Sequence, residues 1–307
     1  MNSSFKYILY IFTFTLTIFF CSCSSKNEKD VTIESGTLVR LAQPQKMNLT
    51  EHIMLNATTV FMKKEVVRAT FQGFIEKLYK NIGDQISKGD ILFEIRTKES
   101  VANGNLQLPF GDKIFKGVIQ FKANTNGVLT QLDHNVGDFI SDGEQIAVIA
   151  NPSSLRINLS VPYQYTDKIT FNTQCEIILP NNKVVNALIQ KIIPTVDQNT
   201  QAQTYILELK KQGNLPENLN VSVRVPVKTV RDAIVVPKSA LMTNETLDQY
   251  WLMKLIDDNT VVRMDVQKGI ENDSFVQIFK PELKMTDRII IEGAFGLPDT
   301  AKVVIGK

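Results

Sequence analysis

The chain has 307 residues, with 34 Lys+Arg against 32 Asp+Glu, two histidines, three cysteines and a formal net charge of +2. Hydrophobic content of 43% with 21% charged residues is globular in character and argues against wholesale disorder, and the length allows two or three domains. A near-neutral charge with no clustered Lys/Arg stripe argues against nucleic acid as a partner, and the few histidines and cysteines leave little material for a His/Cys metal site.

The amino terminus reads as an export signal. Lys6 is the one charge in residues 1–25, and Tyr7 to Phe20 is an apolar run broken only by threonines. Such a run suits the core of a signal peptide and falls short of the ~20 residues that a spanning helix needs. It ends in Phe20-Cys21-Ser22-Cys23, which resembles a bacterial lipoprotein box: an apolar residue, two small residues, then the cysteine that becomes diacylated. This predicts residues 1–22 as a signal peptide and Cys23 as the lipidation site. Cys21 is the second choice, and an uncleaved signal anchor is the alternative. Residues 23–35, rich in Ser, Lys, Asn, Glu and Asp, read as a polar tether. Lipid on Cys23 leaves Cys175 alone in the strand-like run Thr173 to Leu179, as a small core residue with no intramolecular disulfide framework around it.

An internal repeat follows. Gly73-Phe74-Ile75, Leu78, Ile82-Gly83-Asp84, Ile86, Gly89-Asp90, Leu92 and Ile95 recur as Gly127-Val128-Leu129, Leu132, Val136-Gly137-Asp138, Ile140, Gly143-Glu144, Ile146 and Ile149, all displaced by 54 positions. Each copy is a set of short β-runs punctuated by turns, with Gly73, Gly83, Gly89, Gly127, Gly137 and Gly143 expected as turn glycines. Asp84, Asp90, Asp138 and Glu144 beside them read as turn carboxylates rather than as acid–base pairs. Strands this short cannot bury their faces alone, so the two copies must pack on each other. The pattern resembles the two half-motifs of a biotinyl/lipoyl-type domain. A carrier of that type presents its modified lysine in a tight hairpin between the halves. Here Lys98, in Arg96-Thr97-Lys98-Glu99-Ser100, lacks the expected neighbours, and about 20 residues separate it from the second copy. No cofactor is expected.

Beyond Ala150 the sequence stays β-rich, with Pro162 to Lys168 as a short helix carrying Pro in its first turn. Ile193-Pro194-Thr195-Val196-Asp197 with Thr200 and Thr204, Val236-Pro237-Lys238-Ser239-Ala240-Leu241, and the carboxy-terminal runs Val266-Gln267-Lys268-Gly269 and Arg288-Ile289-Ile290-Ile291-Glu292-Gly293 complete a series. Together with the split repeat, it resembles the periplasmic adaptor, or membrane fusion protein, family over residues 36–307.

The resemblance implies a mainly β, elongated, multi-domain fold in which the chain runs out through its modules and returns. Residues 36–46 with 233–307 would form a membrane-proximal β domain, 47–65 with 151–232 a β-barrel, 66–95 with 116–150 the lipoyl-like unit, and 96–115 a short hairpin or loop insertion. It also implies an adaptor of a tripartite efflux pump, linking an inner-membrane exporter, of the resistance-nodulation-division type by preference, to an outer-membrane channel. Self-association into a ring and a lipid anchor facing the periplasm go with that role. Two family glycines are replaced, at Asn172-Thr173-Gln174 and in Pro216-Glu217-Asn218-Leu219; both are turn positions that Asn tolerates. Residues 96–115 are too few for the family's long helical hairpin, which leaves Leu106, Leu108 and Phe110 as the expected docking tip.

No enzymatic constellation is present: there is no G-x-S-x-G, H-E-x-x-H, P-loop or C-x-x-C. His52 and His134 read as isolated surface or turn residues. Met47, Met54 and Met62 are too widely spaced to converge on a local metal site. A carrier subunit of an enzyme complex and an envelope scaffold without transport are the other readings.

Overall fold

The computed structural model describes residues 36–102, 108–110, 113–115, 117–211 and 214–306. The expected signal peptide, tether, Cys23 and Leu106 lie outside them. The fold is mainly β, as expected. Strands β1 (Thr37–Ala42) and β2 (Gln45–Phe61) lead into a unit formed by β3 (Lys64–Arg68), β4 (Gly73–Leu78), β5 (Gln85–Ile86), β6 (Ile91–Thr97), a single turn of helix α1 (Lys98–Ala102), the hairpin β7 (Leu108–Phe110) and β8 (Lys113–Phe115), β9 (Val118–Lys122), β10 (Gly127–Leu132), β11 (Phe139–Ile140) and β12 (Gln145–Ala150).

The 54-residue offset read from the sequence reappears in three dimensions. β3, β4, β5 and β6 correspond to β9, β10, β11 and β12, and the copies exchange strands. One sheet runs β3-β12-β10-β5 and the other β11-β4-β6-β9. Their inner faces share a core of Ile75 with Leu129, Ile86 with Ile140, Leu92 with Ile146 and Ile95 with Ile149, each pair at equivalent positions. Phe93 stacks on Phe121 at 4.8 Å between ring centroids, where the symmetry mates are Ala147 and Val67. The sandwich starts at Lys64, which pairs with Ala150, so residues 64 and 65 belong to it and not to the barrel expected from sequence.

Past the sandwich come β13 (Leu155–Pro162), a 3-10 turn (Tyr163–Lys168), β14 (Gln174–Ile178), β15 (Val184–Val196), β16 (Ala202–Leu209) and β17 (Asn220–Pro237). Pro162 caps the 3-10 turn from outside rather than sitting in its first turn, and six residues tighten into 3-10 geometry instead of an α-helix. Strands β14-β15-β16-β13-β2-β17 form a closed six-stranded barrel, since β14 also pairs with β17. Strict alternation fills it: Ile157, Leu159 and Val161 of β13 point inward against Ile177, Ile189, Tyr205, Leu207, Val223 and Val225. Asn172 and Asn218 take left-handed backbone with φ of 63° and 60°. Asn can adopt that conformation because its short polar side chain bonds locally. The second turn is clamped to β2 through Thr59, whose hydroxyl donates to the Pro216 carbonyl (2.6 Å) and accepts from the Leu219 N–H (2.8 Å).

β2 and β17 are long enough to leave the barrel together. Their ladder runs from Asn220↔Thr58 to Val235↔Gln45, with bulges at Pro226/Lys228 and Val230/Ala233. A proline is tolerated there because a bulge needs no ladder N–H from it. Leu49, Ala233, Val235 and Ile270 fill the joint beyond the barrel. The remaining strands are β18 (Met242–Thr243), β19 (Tyr250–Leu255), β20 (Thr260–Glu271), β21 (Phe275–Lys280), β22 (Arg288–Glu292) and β23 (Thr300–Ile305). β1 returns to them, antiparallel to β22 and parallel to β23, and β19–β20 pairing closes a second barrel around Val39, Met253, Val261, Ile290 and Val303.

Candidate functional site

The turns of the sandwich carry the carboxylates that sequence reading singled out. Asp84 accepts from the Asn81 N–H and Asp138 from the Asn135 N–H, both at 2.7 Å; Asp90 accepts from Ser87 (3.1 Å) and Glu144 from Ser141 (2.7 Å). The Lys80 ammonium, 2.9 Å from Asp90, and the Ser87 N–H hold the Asp90 carboxyl below the usual carboxylate range. These groups brace turns. Gly83, Gly89, Gly137 and Gly143 have φ of 94°, 95°, 96° and 79°. Gly73 and Gly127, expected as turn glycines, are corrected to strand positions. They open β4 and β10, where a Cβ would sit 2.2 Å from the Arg96 carbonyl oxygen and 2.4 Å from that of Ala150. Close backbone approach, not a turn, requires glycine there.

His134, read from sequence as isolated, lies 3.9 Å from Asp138 and 3.5 Å from Glu144. Both carboxylates are already engaged in turn bonds, so the histidine joins the brace. His52 is exposed on β2. Met54 and Met62 are exposed, whereas Met47 packs at the joint beyond the barrel, so the three do not converge. Among the described residues no group of three or more His, Cys, Asp or Glu is placed to hold a metal. Cys175 is buried in the barrel and burial pushes its thiol up to about 12, which removes it as a nucleophile. Lys98 begins α1 rather than occupying a hairpin tip.

The insertion holds regular structure rather than a bare loop. Gly73 pairs with Thr97, so α1 and the β7–β8 hairpin leave the sandwich at the end remote from the barrel, where β3 turns into β4. Leu108 pairs with Phe115 and Phe110 with Lys113 across the hairpin. Sequence reading did not anticipate a groove of ≈ 660 Å³ on the barrel wall, lined by Asn56, Thr58, Asn158, Ser160, Asn182 and Ser222 among others and without a charged side chain. Its residues are scattered over several strands and turns and meet only once the barrel closes.

No family model matches the chain. The multidrug resistance protein MdtA of Proteus mirabilis is 25% identical over 221 residues, covering 68% of this chain and 51% of MdtA. The putative membrane fusion protein SilB of Salmonella typhimurium is 23% identical over 292 residues, covering 84% of this chain and 67% of SilB. The chain is a homologue of MdtA and of the putative membrane fusion protein SilB. It spans about half the length of MdtA. Two solved structures share the fold. MacA of Actinobacillus actinomycetemcomitans matches with a TM-score of 0.57 at 14% identity, over 81% of this chain and 98% of MacA. ZneB of Cupriavidus metallidurans matches at 0.50 and 13%, over 89% and 97%. Among the described residues no helix is long and apolar enough to cross a membrane.

Proposed function

We propose that this chain is the adaptor subunit of a tripartite efflux pump, a periplasm-facing lipoprotein that joins an inner-membrane exporter to an outer-membrane channel. The observation that carries the reading is the nested path of the chain. β1 pairs with the last strands β22 and β23, β2 pairs with β13 and β17, and the sandwich with its hairpin is inserted between β2 and β13. The first and last described strands are therefore gathered in one barrel, and the hairpin leaves from the opposite end of the sandwich. A molecule of this plan suits a spacer between two membranes better than a catalyst. Lipid on Cys23 holds the barrel of β1, β19, β20, β22 and β23 to the inner membrane, several copies pack side by side into a ring, and the hairpin carrying Leu108 and Phe110 meets the channel. The exporter supplies the energy, and a resistance-nodulation-division pump is the favoured class. Chemical cross-linking in intact cells, followed by purification of the full-length chain, tests this. Recovery of an inner-membrane exporter and an outer-membrane channel, with loss of export when the gene is deleted, is the expected result. Recovery of envelope proteins without either partner would favour a scaffold.

A further inference from the structure

Phe295 is 93% exposed, more than any other large apolar side chain among the described residues. It lies in the loop between β22 and β23, and that loop is built to present it. The Leu297 N–H donates to the Ala294 carbonyl (3.3 Å) and Gly296 has φ of 77°, which makes a type II turn with Phe295 at its second position. Gly293, also at positive φ, lets the loop cross β1, since a Cβ there would stand 2.5 Å from the Leu38 carbonyl oxygen. Ala294 and Leu297 on either side turn into the barrel core. The turn thus buries its flanks and leaves the ring outside.

Two more apolar side chains are open at the same end. Leu38, 67% exposed, and Val304 are direct neighbours in the parallel β1–β23 pair and share its outer face. The charges around them are matched: Arg40 pairs with Glu292 at 2.8 Å, and Arg263 with Asp265 at 2.9 Å and Asp299 at 3.6 Å. A protein partner would ordinarily be met by a wider patch or an unmatched charge. The chain itself supplies a different partner. Gly36 lies against Val303 and Val304, so the preceding residues join the fold at this end. Only residues 23–35 lie between the start of the expected mature chain, at Cys23, and Gly36. A stretch of that length spans at most about 45 Å even when fully extended. A lipid on Cys23 therefore keeps the Phe295 turn within reach of the bilayer surface.

We infer that Phe295, flanked by Leu38 and Val304, inserts into the periplasm-facing leaflet of the bilayer that holds the lipid anchor and sets the adaptor's stance on it. The inference rests on the proposed anchor. An aromatic ring on a tight turn can enter the headgroup–acyl boundary without carrying backbone polar groups into hydrocarbon. With the neighbouring charges matched, insertion is insensitive to salt.

The test uses the full-length lipidated chain in phosphatidylcholine vesicles, with Phe295→Trp compared against the parent, which has Trp251 as its single tryptophan. Phe279→Trp, at an exposed site on β21, is the reference. The added Trp at 295 is expected to emit to the blue and to lose emission when the acyl chains are brominated, in low and high salt alike, while the reference keeps a water-like spectrum. Chain that floats with the vesicles while position 295 stays water-like overturns the insertion and leaves the anchor standing. A blue shift that appears only when exporter is co-reconstituted, without bromine quenching, assigns the turn to the exporter and also overturns it. Chain that does not float removes the anchor reading and this inference with it.

Discussion

Gly127 and Gly137 constrain the same sandwich by different means. At Gly137 a Cβ would meet nothing within 4 Å, so a replacement suffers only from φ of 96°. At Gly127 the backbone is ordinary, but the Ala150 carbonyl is in the way, in the ladder that pairs Val128 with Ala150. Gly137→Val should therefore cost roughly 1–3 kcal/mol, the scale of a strained backbone. Gly127→Ala, though smaller, should cost about 3 kcal/mol or more, because a strand must move. Urea unfolding of both variants checks the order; equal costs would mean that the strands shift freely. A second residue-level case is Glu271. Lys238 at 2.8 Å, followed by Lys268 at 2.9 Å, holds its carboxyl below the usual value of 4.5 against the opposing effect of burial. A carboxyl depressed in the folded state contributes stability that is complete above the unfolded value and is lost as pH falls through the folded one. Partial exposure limits this to about 1 kcal/mol. Stability measured from pH 7 down to pH 3 should fall less steeply in Glu271→Gln than in the parent.

Elements are legible where their partners lie close in sequence or repeat. The sandwich announces itself because the same apolar and turn residues occur twice at one offset. Its core pairs, such as Ile75 with Leu129, follow from that register. The barrels do not, since β2 pairs with β17 across more than 150 residues and no local signal in either strand names the other. The groove on the barrel wall is hidden for the same reason. Gly73 and Gly127 mislead because a glycine that starts a strand looks like one that ends a turn. At the far end of the sandwich, β7 and β8 have three residues each and reach only about 10 Å. Ser100, buried against Gly117, belongs to the sandwich base, so a clean excision begins after α1. Replacing residues 103–116 with a Gly/Ser turn should leave thermal unfolding and membrane attachment unchanged. It should reduce cross-linking to the channel and export together. Undiminished cross-linking would move the docking contact elsewhere on the molecule.

For the whole molecule, the decisive property is that separate cores are strung along one path. The sandwich core, the six-stranded barrel and the second barrel are distinct clusters, and the β2–β17 ladder with the joint at Leu49 and Val235 connects the barrels. Force or position imposed at the chain start is therefore passed along paired strands rather than through a loop. That makes the proposed anchor at the amino terminus a matter of geometry as well as of location. A diacylated cysteine contributes about 0.8 kcal/mol per buried CH₂, enough with two chains for stable attachment. Cys23→Ser should release the chain into the soluble periplasmic fraction with its fold intact. Export should fall because copies no longer gather at the membrane that holds the exporter, and it should recover if another lipoprotein's signal and lipidated cysteine are fused upstream of residue 24. Cell fractionation with palmitate labelling reads both properties at once. A variant that remains membrane-bound and labelled would assign the lipid to Cys21, and one that remains bound without label would assign the attachment to the uncleaved apolar run.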